Sequence, residues 1–181
     1  MIKLGAKDLR TTKGDPQIIN KLPKNPIYII VDNVLDTYNV GAIFRLADAT
    51  ACRKVFICGQ TETPPHTRIK KASINTTEWV KWEYCETTIE AIKKLRKDVK
   101  GIQIVSVELD KKAVPYDKFE YKFPIALIVG HESEGVAKDV IDASDAVVDL
   151  PMFGVNKSLN VMVSLGIVLY QVIENNFTKN N

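Results

Sequence analysis

Five short apolar runs, separated by segments of helical character, constrain the fold of this chain more than any other feature of its sequence. The runs are rich in β-branched residues and are continuous rather than alternating, which predicts strands that are buried on both faces. The predicted strands are Ile27–Val31, Val55–Cys58, Ile102–Val107, Ile125–Val129 and Ala146–Leu150.

Helical segments lie between most of these strands and after the last of them. Strands that alternate with helices predict an α/β fold, in which a mostly parallel sheet is flanked by helices. The predicted helices are Asn39–Thr50, Thr87–Val99, Val136–Ala143 and Ser158–Asn175. Because there is no internal repeat and no long linker, we predict one domain, residues 26–176, between a basic N-terminal extension, residues 1–25, and a C-terminal tail, residues 177–181.

The composition is that of a globular protein, because 45% of the 181 residues are hydrophobic and 26% are charged. The three cysteines include no CxxC pair, so we expect buried thiols at Cys52, Cys58 and Cys85, and no metal. The first residues lack the apolar core of a signal peptide, and the apolar segment Leu159–Ile173 is shorter than the roughly 20 residues that span a bilayer. These features predict a cytoplasmic protein without a membrane partner.

Charge is unevenly distributed along the chain, although the net charge is only +3. Residues 1–25 contain six basic and two acidic residues, whereas residues 125–150 contain six carboxylates and one lysine. A second basic cluster comprises Arg68, Lys70 and Lys71. Two interpretations stay open: these cations contact nucleic-acid phosphates, or they are ordinary solvated charges.

Three loops rich in Gly, Asn or Ser follow predicted strands, and they are Asp32–Gly41, Gly130–Val136 and Pro151–Ser158. In parallel sheets, ligands bind at the carboxyl ends of the strands. The three loops are therefore the candidate functional segments.

The first loop leads into a helix that contains one charge beside its apolar stripe. Asn39 is suited to cap this helix, and Arg45 lies about 140° from the stripe at 100° per residue. Arg45 is either a solvent-facing charge or a ligand contact, since its side chain would lean over Gly41, where the missing side chain leaves room for a ligand.

The second loop combines two glycines with two carboxylates. It contains neither GxGxxG nor GK[ST], which excludes the dinucleotide and Walker motifs. Glu132 and Glu134 would suit a cationic ligand, or could orient an arginine such as Arg45. His131 is either a general base or, as we favour, a loop residue that makes one hydrogen bond.

The third loop enters the last predicted helix, for which Ser158 is a natural N-cap. Asn160 lies in the first turn and would point toward the contents of the loop. Met152 and Leu159 would either flank a flat base or pack in the core.

Together and in this order, the three segments resemble the motifs of the SpoU/TrmH-type RNA 2'-O-ribose methyltransferases of the SPOUT class. The matching residues are Asn39 and Arg45 in the first motif, Gly130, Glu132 and Gly135 in the second, and Pro151, Met152, Gly154 and Ser158-Leu159-Asn160 in the third. The pair Val107-Glu108 resembles a further family signature. At His131 the chain differs, since the family more often has Asn there.

This resemblance implies a C-terminal trefoil knot and a homodimer whose contact surfaces are the helices that begin near Asn39 and Ser158. It also implies that S-adenosylmethionine binds in the knotted region. The residues expected to contact this cofactor are Glu108, Gly130, His131, Leu150, Met152, Ser158 and Leu159.

The implied activity is methyl transfer to a ribose 2'-hydroxyl of tRNA or rRNA. The resemblance places Arg45 at that hydroxyl and at the adjoining phosphate, and leaves open which group accepts the proton. The predicted catalytic residues are Asn39, Arg45, Glu132, Ser158 and Asn160. The predicted RNA contacts are Arg45, Arg68, Lys70 and Lys71.

Two other functions fit the same motifs less well: a knotted RNA-binding module without catalysis, and a base-methylating relative of the same class. We expect no separate RNA-binding domain within these 181 residues. We therefore assign RNA selection to the N-terminal extension, to the Gln60–Thr76 loop and to the dimer surface.

Overall fold

Seven strands form one sheet in the computed structural model, which describes residues 3–178 of the chain. Every strand pairing in this part of the chain is parallel, and the strand order is β3-β2-β1-β6-β4-β7-β5. The strands are β1 (Asn25–Asp32), β2 (Cys52–Cys58), β3 (Trp82–Cys85), β4 (Gln103–Val107), β5 (Val114–Pro115), β6 (Ile125–Val129) and β7 (Ala146–Asp149).

Helices cover both faces of this sheet. The helices are α1 (Ala6–Thr11), α2 (Pro16–Lys21), α3 (Thr37–Ala49), α4 (Thr67–Ser73), α5 (Thr88–Asp98), α6 (Lys138–Ala143) and α7 (Val161–Thr178). One core joins the sheet to α3, α4 and α7, and a second core joins its other face to α5 and α6. The predicted α/β fold with a parallel sheet is confirmed.

The continuous apolar runs are explained by these two cores. In β1, Ile27 and Ile29 face the core under α3 and α7, whereas Tyr28 and Ile30 face the core under α5. Each of these side chains is at most 8% exposed. A strand in this position needs an apolar residue at every step, because neither of its faces reaches water.

All five predicted strands are present, with ends that differ by up to three residues, but two further strands, β3 and β5, and three further helices, α1, α2 and α4, are not predicted. The sequence-based expectation of a loop over Gln60–Thr76 is wrong, because this segment contains α4. The helix α4 buries one apolar side chain, Ile69, so its sequence contains no repeat of apolar residues at helical spacing. The strands β3 and β5 lie at the two edges of the sheet and are short.

The helix starts also differ from prediction. Asp36 caps α3 by accepting a hydrogen bond from the Tyr38 backbone N–H, so Asn39 is not the cap. The last helix begins at Val161, and Asn160 accepts from the Met162 backbone N–H at 2.9 Å. Ser158 is therefore not its cap either. The loop before α3 ends earlier than the polar pattern indicates, and the loop before α7 ends later.

The N-terminal extension is folded against the domain over its described residues. Asn75 donates hydrogen bonds from Nδ2 to the carbonyl oxygens of Leu9 and Thr12, at 3.1 and 3.0 Å. A Cβ on Gly14 would overlap the carbonyl of Glu78, which shows how closely the extension packs. Residues 1–2 of the predicted extension lie outside the described residues. The predicted tail, residues 177–181, begins within the last turn of α7, and its residues 179–181 are likewise outside the described part.

The three cysteines are free and buried, as expected. Burial raises the pKa of the Cys52 and Cys58 thiols to about 12, so both are protonated and unreactive at neutral pH. Within residues 3–178, no helix is long and apolar enough to cross a membrane.

Gly41 does not provide room for a ligand, which corrects the sequence-based interpretation. A Cβ at this position would come within 2.6 Å of the Ala72 Cβ and 2.8 Å of the Ile69 carbonyl oxygen. The space beside Gly41 is thus filled by α4, and the missing side chain allows α3 and α4 to pack at close range.

Gly41→Ala is therefore expected to lower the free energy of unfolding by about 1–3 kcal/mol, because backbone atoms of α4 must move. Gly166→Ala is the matched control on α7. Its nearest neighbours are the Leu46 methyl groups at 3.4 and 3.6 Å, so the better helix propensity of alanine should leave stability unchanged or raise it. Urea unfolding of both variants measures the difference, and equal stabilities would contradict the packing argument.

Candidate active site

A cavity of about 380 Å³ opens at the carboxyl ends of β4, β6 and β7, between the second and third loops. Its position agrees with the ligand sites of parallel sheets. It is lined by all seven residues predicted to contact a cofactor, namely Glu108, Gly130, His131, Leu150, Met152, Ser158 and Leu159.

The second loop forms one wall of this cavity through a tight backbone turn. His131 and Gly135 exchange two backbone hydrogen bonds, at 3.0 and 2.9 Å. Gly130 must lack a side chain, since a Cβ there would overlap the Gly135 carbonyl group and the Val136 nitrogen. Gly135 has a φ of +71°, in the left-handed region that favours glycine.

Glu108 fastens this wall to the end of β4. Its Oε2 accepts a hydrogen bond from the Val136 backbone N–H at 2.8 Å, and its Oε1 accepts from the Leu109 backbone N–H at 2.9 Å. The carboxylate also lies against Gly135, where a Cβ would overlap it. Glu108 therefore shapes the cavity, with both of its oxygens already hydrogen-bonded to the backbone.

A hydrogen-bonded chain of side chains joins the three loops beside the cavity. Asn39 donates from Nδ2 to Glu132 Oε1 at 2.9 Å, and Asn160 donates from Nδ2 to Asn39 Oδ1 at 3.0 Å. Glu132 also accepts from the backbone N–H groups of Leu35 and Asp36, at 3.1 and 3.0 Å. The carboxylate thus holds Asn39 and the start of α3, rather than Arg45.

The environment of Glu132 favours its charged form. Partial burial raises the pKa of its carboxyl group, but the hydrogen bonds from Asn39 and from the backbone of Asp36 and Leu35 lower that pKa by more, so it lies below its ordinary value. Glu132 is therefore an ionised acceptor at neutral pH.

Arg45 lies apart from these residues within one chain. It is exposed on α3, does not line the cavity, and makes no hydrogen bond or ion pair with the residues that the structure describes. Tyr38 is seven residues earlier on the same helix face and is 51% exposed. The structure thus brings four of the five predicted catalytic residues to one place and leaves Arg45 on an open surface.

Ser158 and His131 have different local surroundings. Ser158 lines the cavity and is exposed, and its backbone N–H donates to Asn156 Oδ1 at 3.4 Å. His131 Nδ1 accepts from the backbone N–H groups of Ser133 and Glu134, at 3.0 and 3.2 Å. With Nδ1 acting as acceptor, the proton of a neutral ring resides on Nε2, so Nδ1 stabilises the turn.

The lining of the cavity is acidic on balance. It contains the side chains of Glu108, Glu132, Glu134 and Asp149, against one lysine, Lys157. This charge favours a ligand with net positive charge, in agreement with the interpretation of the second loop. Among residues 3–178, no group of three or more His, Cys, Asp or Glu side chains is arranged to hold a metal ion.

Asp32 is a buried carboxylate that sequence analysis missed. It is 3% exposed at the end of β1, and its oxygens accept hydrogen bonds from Thr88 Oγ1 at 2.6 Å and from the Ala137 backbone N–H at 3.3 Å. It therefore braces the starts of α5 and α6 below the second loop. The available signal was an acidic residue directly after a buried strand.

Comparison with known proteins gives one consistent family. The family model described as the SpoU rRNA Methylase family matches residues 26–170. A tRNA (guanosine(18)-2'-O)-methyltransferase from Aquifex aeolicus (strain VF5) is 33% identical over 159 residues, which are 86% of this chain and 72% of that protein. The chain spans about 60% of the length of several other curated relatives.

Two solved structures show the same fold. The TrmH/SpoU tRNA modifying enzyme of A. aeolicus has a TM-score of 0.78 and 27% identity, over 97% of this chain and 84% of that one. An AdoMet-bound rRNA methyltransferase from Sinorhizobium meliloti has a TM-score of 0.75 and 26% identity, over 88% of this chain and 60% of that one.

The chemistry of Glu132 predicts a pH-dependent contribution to stability. Because its pKa is lowered on folding, the carboxylate stabilises the folded protein at neutral pH, and this contribution is lost as pH falls below the ordinary value of 4.5 and through the lowered value. Glu132→Gln, which also turns an NH₂ group toward N–H donors, should lower the free energy of unfolding at neutral pH and much less in acid.

Urea unfolding at a series of pH values tests this expectation. Glu134→Gln is the matched control, because the Glu134 carboxylate makes no hydrogen bond or ion pair with other described residues. It should keep the acid profile of the unmodified protein. A stability loss in Glu132→Gln that is constant across pH would contradict the assignment.

Proposed function

Because the chain belongs to the SpoU rRNA methylase family, we propose that it transfers a methyl group from S-adenosylmethionine to a ribose 2'-hydroxyl of RNA. The observation that carries this proposal is the chain of hydrogen bonds from Glu132 through Asn39 to Asn160, which joins the three motif loops beside one cavity. The A. aeolicus relative acts on tRNA by its name, and the S. meliloti structure is an rRNA methyltransferase. The proposed substrate class is therefore tRNA or rRNA.

The cavity fits S-adenosylmethionine in size and in charge. Its volume of about 380 Å³ lies within the usual range of ligand sites. The cofactor carries a sulfonium, an ammonium and one carboxylate, so an acidic lining with a single lysine complements its net charge. When bound, it supplies an electrophilic methyl group. The backbone of the Gly130–Gly135 turn would hold it, with Met152 and Leu159 contacting its apolar atoms.

We assign Arg45 to the ribose hydroxyl and its adjoining phosphate. A guanidinium group is a planar hydrogen-bond donor and a very weak proton acceptor, so we assign Arg45 to positioning the substrate. Most of the rate is expected from holding the hydroxyl oxygen in line with the methyl group. Asn39, Glu132, Ser158 and Asn160 would orient the groups around that oxygen.

A homodimer would bring Arg45 to the cavity. Within one chain Arg45 is exposed and outside the cavity lining, whereas α7 leaves Val163, Ile167 and Tyr170 exposed at 40%, 37% and 56%. These three apolar side chains are spaced as one helix face. We propose that α3 and α7 form the dimer surface, so that the partner's Arg45 completes the site.

Three further expectations of the sequence belong to this proposal. The C-terminal part would be knotted, which is supported by α7 packing back onto β4, β6 and α3 after the third loop. The exposed side chains of Arg68, Lys70 and Lys71 on α4 would contact RNA phosphates. A tRNA or rRNA substrate would place the enzyme in the cytoplasm.

One experiment separates this function from its rivals. Pooled tRNA and rRNA are incubated with methyl-labelled S-adenosylmethionine, and the labelled atom is identified after digestion to nucleosides. Label on a ribose 2'-oxygen is the expected result. Label on a base would assign the chain to the base-methylating branch, and RNA binding without label would favour the non-catalytic module.

Arg45→Ala should lower methyl transfer by at least about 100-fold, because the hydroxyl is no longer positioned. Arg45→Lys should fail similarly, since a point charge does not reproduce the planar guanidinium. Both variants should fold and bind the cofactor as before, because Arg45 is exposed and unpaired with other described residues. Arg53→Ala, another exposed arginine, at the start of β2, is the control. Near-normal turnover of an Arg45 variant would refute the role.

Gly130→Ala should weaken S-adenosylmethionine binding by about tenfold or more, because the turn that forms the cavity wall must shift. Gly154→Ala in the third loop is the matched control, as a Cβ there meets no atom within 4 Å. Titration calorimetry on both variants gives the two affinities. Equal affinities of the two variants for S-adenosylmethionine would contradict a role of the second loop in binding this cofactor.

A further inference from the structure

A second cleft, of about 490 Å³, lies between the N-terminal extension and the domain. It is lined by Arg10 of α1, by Thr67, Lys70 and Lys71 of α4, and by Asn75. Three of the five lining residues are cations, and none is acidic. The sequence placed Arg10 and the two lysines in separate basic segments, and folding brings them together.

Asn75 builds this cleft by attaching the extension to the end of α4. It is 5% exposed, and its Nδ2 donates to the carbonyl oxygens of Leu9 and Thr12, which lie on either side of Arg10. Its own backbone N–H donates to the Lys70 carbonyl oxygen at 3.3 Å. One residue, through its side chain and its backbone N–H, thus fixes Arg10 relative to Lys70.

The cations of the cleft have no acidic partner within residues 3–178. The ion pairs in this part of the chain use other lysines and one other arginine. Arg10, Lys70 and Lys71 are also exposed. Holding three like charges around a concave surface without a counter-ion is unfavourable alone and becomes favourable when an anion binds.

The cleft is held in a fixed relation to the first motif. The helix α4 packs directly on α3 at Gly41, one turn before Arg45. A chain of anions that passes through the cleft would therefore meet the domain at a defined distance from Arg45. RNA is such a chain of anions, since phosphates repeat at regular intervals along its backbone.

We propose that the cleft between α1 and α4 is a second RNA site, which binds backbone phosphates away from the nucleotide that is methylated. This inference rests on the proposed function for the identity of the polyanion. In this proposed site, the N-terminal extension is packed against the domain and forms one wall of the cleft. Asn75 is the positioning residue that keeps Arg10 in place. The site selects RNA by the spacing of its phosphates relative to the target ribose, not by base contacts.

The first test measures the affinity for pooled tRNA as a function of salt concentration. Arg10→Ala should lower the salt slope by about 1, and the double variant Lys70→Ala/Lys71→Ala should lower it by about 2. The control is Lys93→Ala/Lys97→Ala, which removes two exposed lysines from α5 on the other face of the sheet. An unchanged slope in the cleft variants, or an equal loss in the control, would refute the site.

The second test distinguishes an N-terminal extension that must be packed against the domain from an extension that is flexible and contributes only its charges. Asn75→Gly keeps every charge and suits the φ of +67° at this position, but removes the hydrogen bonds to Leu9 and Thr12. It should weaken tRNA binding about as much as Arg10→Ala does, with unchanged affinity for S-adenosylmethionine. Binding as tight as that of the unmodified protein would show that the extension contributes charge alone.

Methyl transfer to the same RNA distinguishes failure of this inference from failure of the proposed function. The cleft variants should raise the KM for RNA and leave kcat at saturating RNA unchanged. A lower kcat with an unchanged KM would place these residues in the chemical step and refute the inference. If no RNA is methylated by the unmodified protein, the proposed function fails, whereas the binding experiments still decide whether the cleft holds RNA.

Discussion

Parallel pairing of buried strands is the constraint on which the rest of the structure depends. It requires helices on both faces of the sheet, and it places the carboxyl ends of β1, β6, β4 and β7 along one edge. Three loops that are far apart in the chain therefore leave the sheet side by side. The cavity follows from that arrangement, since residues of the second loop, of the third loop and of the strand ends line it together.

Within this edge, Glu132 holds the first loop against the second through three hydrogen bonds. A carboxylate accepts several hydrogen bonds at once, and this one satisfies two backbone N–H groups before α3 together with the amide of Asn39. Glu108 does the same for the second loop from β4. Both carboxylates thus hold the cavity walls through hydrogen bonds to groups of the protein itself.

The sequence predicted the fold class and the three candidate loops because both depend on local patterns: continuous apolar runs, and polar loops after them. The individual residues expected around the cavity came from the resemblance to the family. It did not predict α4, since a seven-residue helix with Ile69 as its one large buried side chain has no periodicity to detect. The close approach at Gly41 was misread for a related reason, because the neighbour that fills the space comes from that helix. The role of Asn75 depends on contacts with residues 63 and 66 positions away, which no local pattern encodes.

The contact between Asn160 and Asn39 spans 121 positions of the chain and Glu132 reaches Asn39 across 93. Such separations make this corner of the molecule among the last to become ordered during folding, because the intervening sheet must form before the ends can meet. A growing chain on the ribosome would contain all seven strands of the described sheet before Asn160 emerges. A chain that ends before the third loop therefore lacks one wall of the cavity, whereas a chain that has passed Asn160 contains all the groups that join the loops.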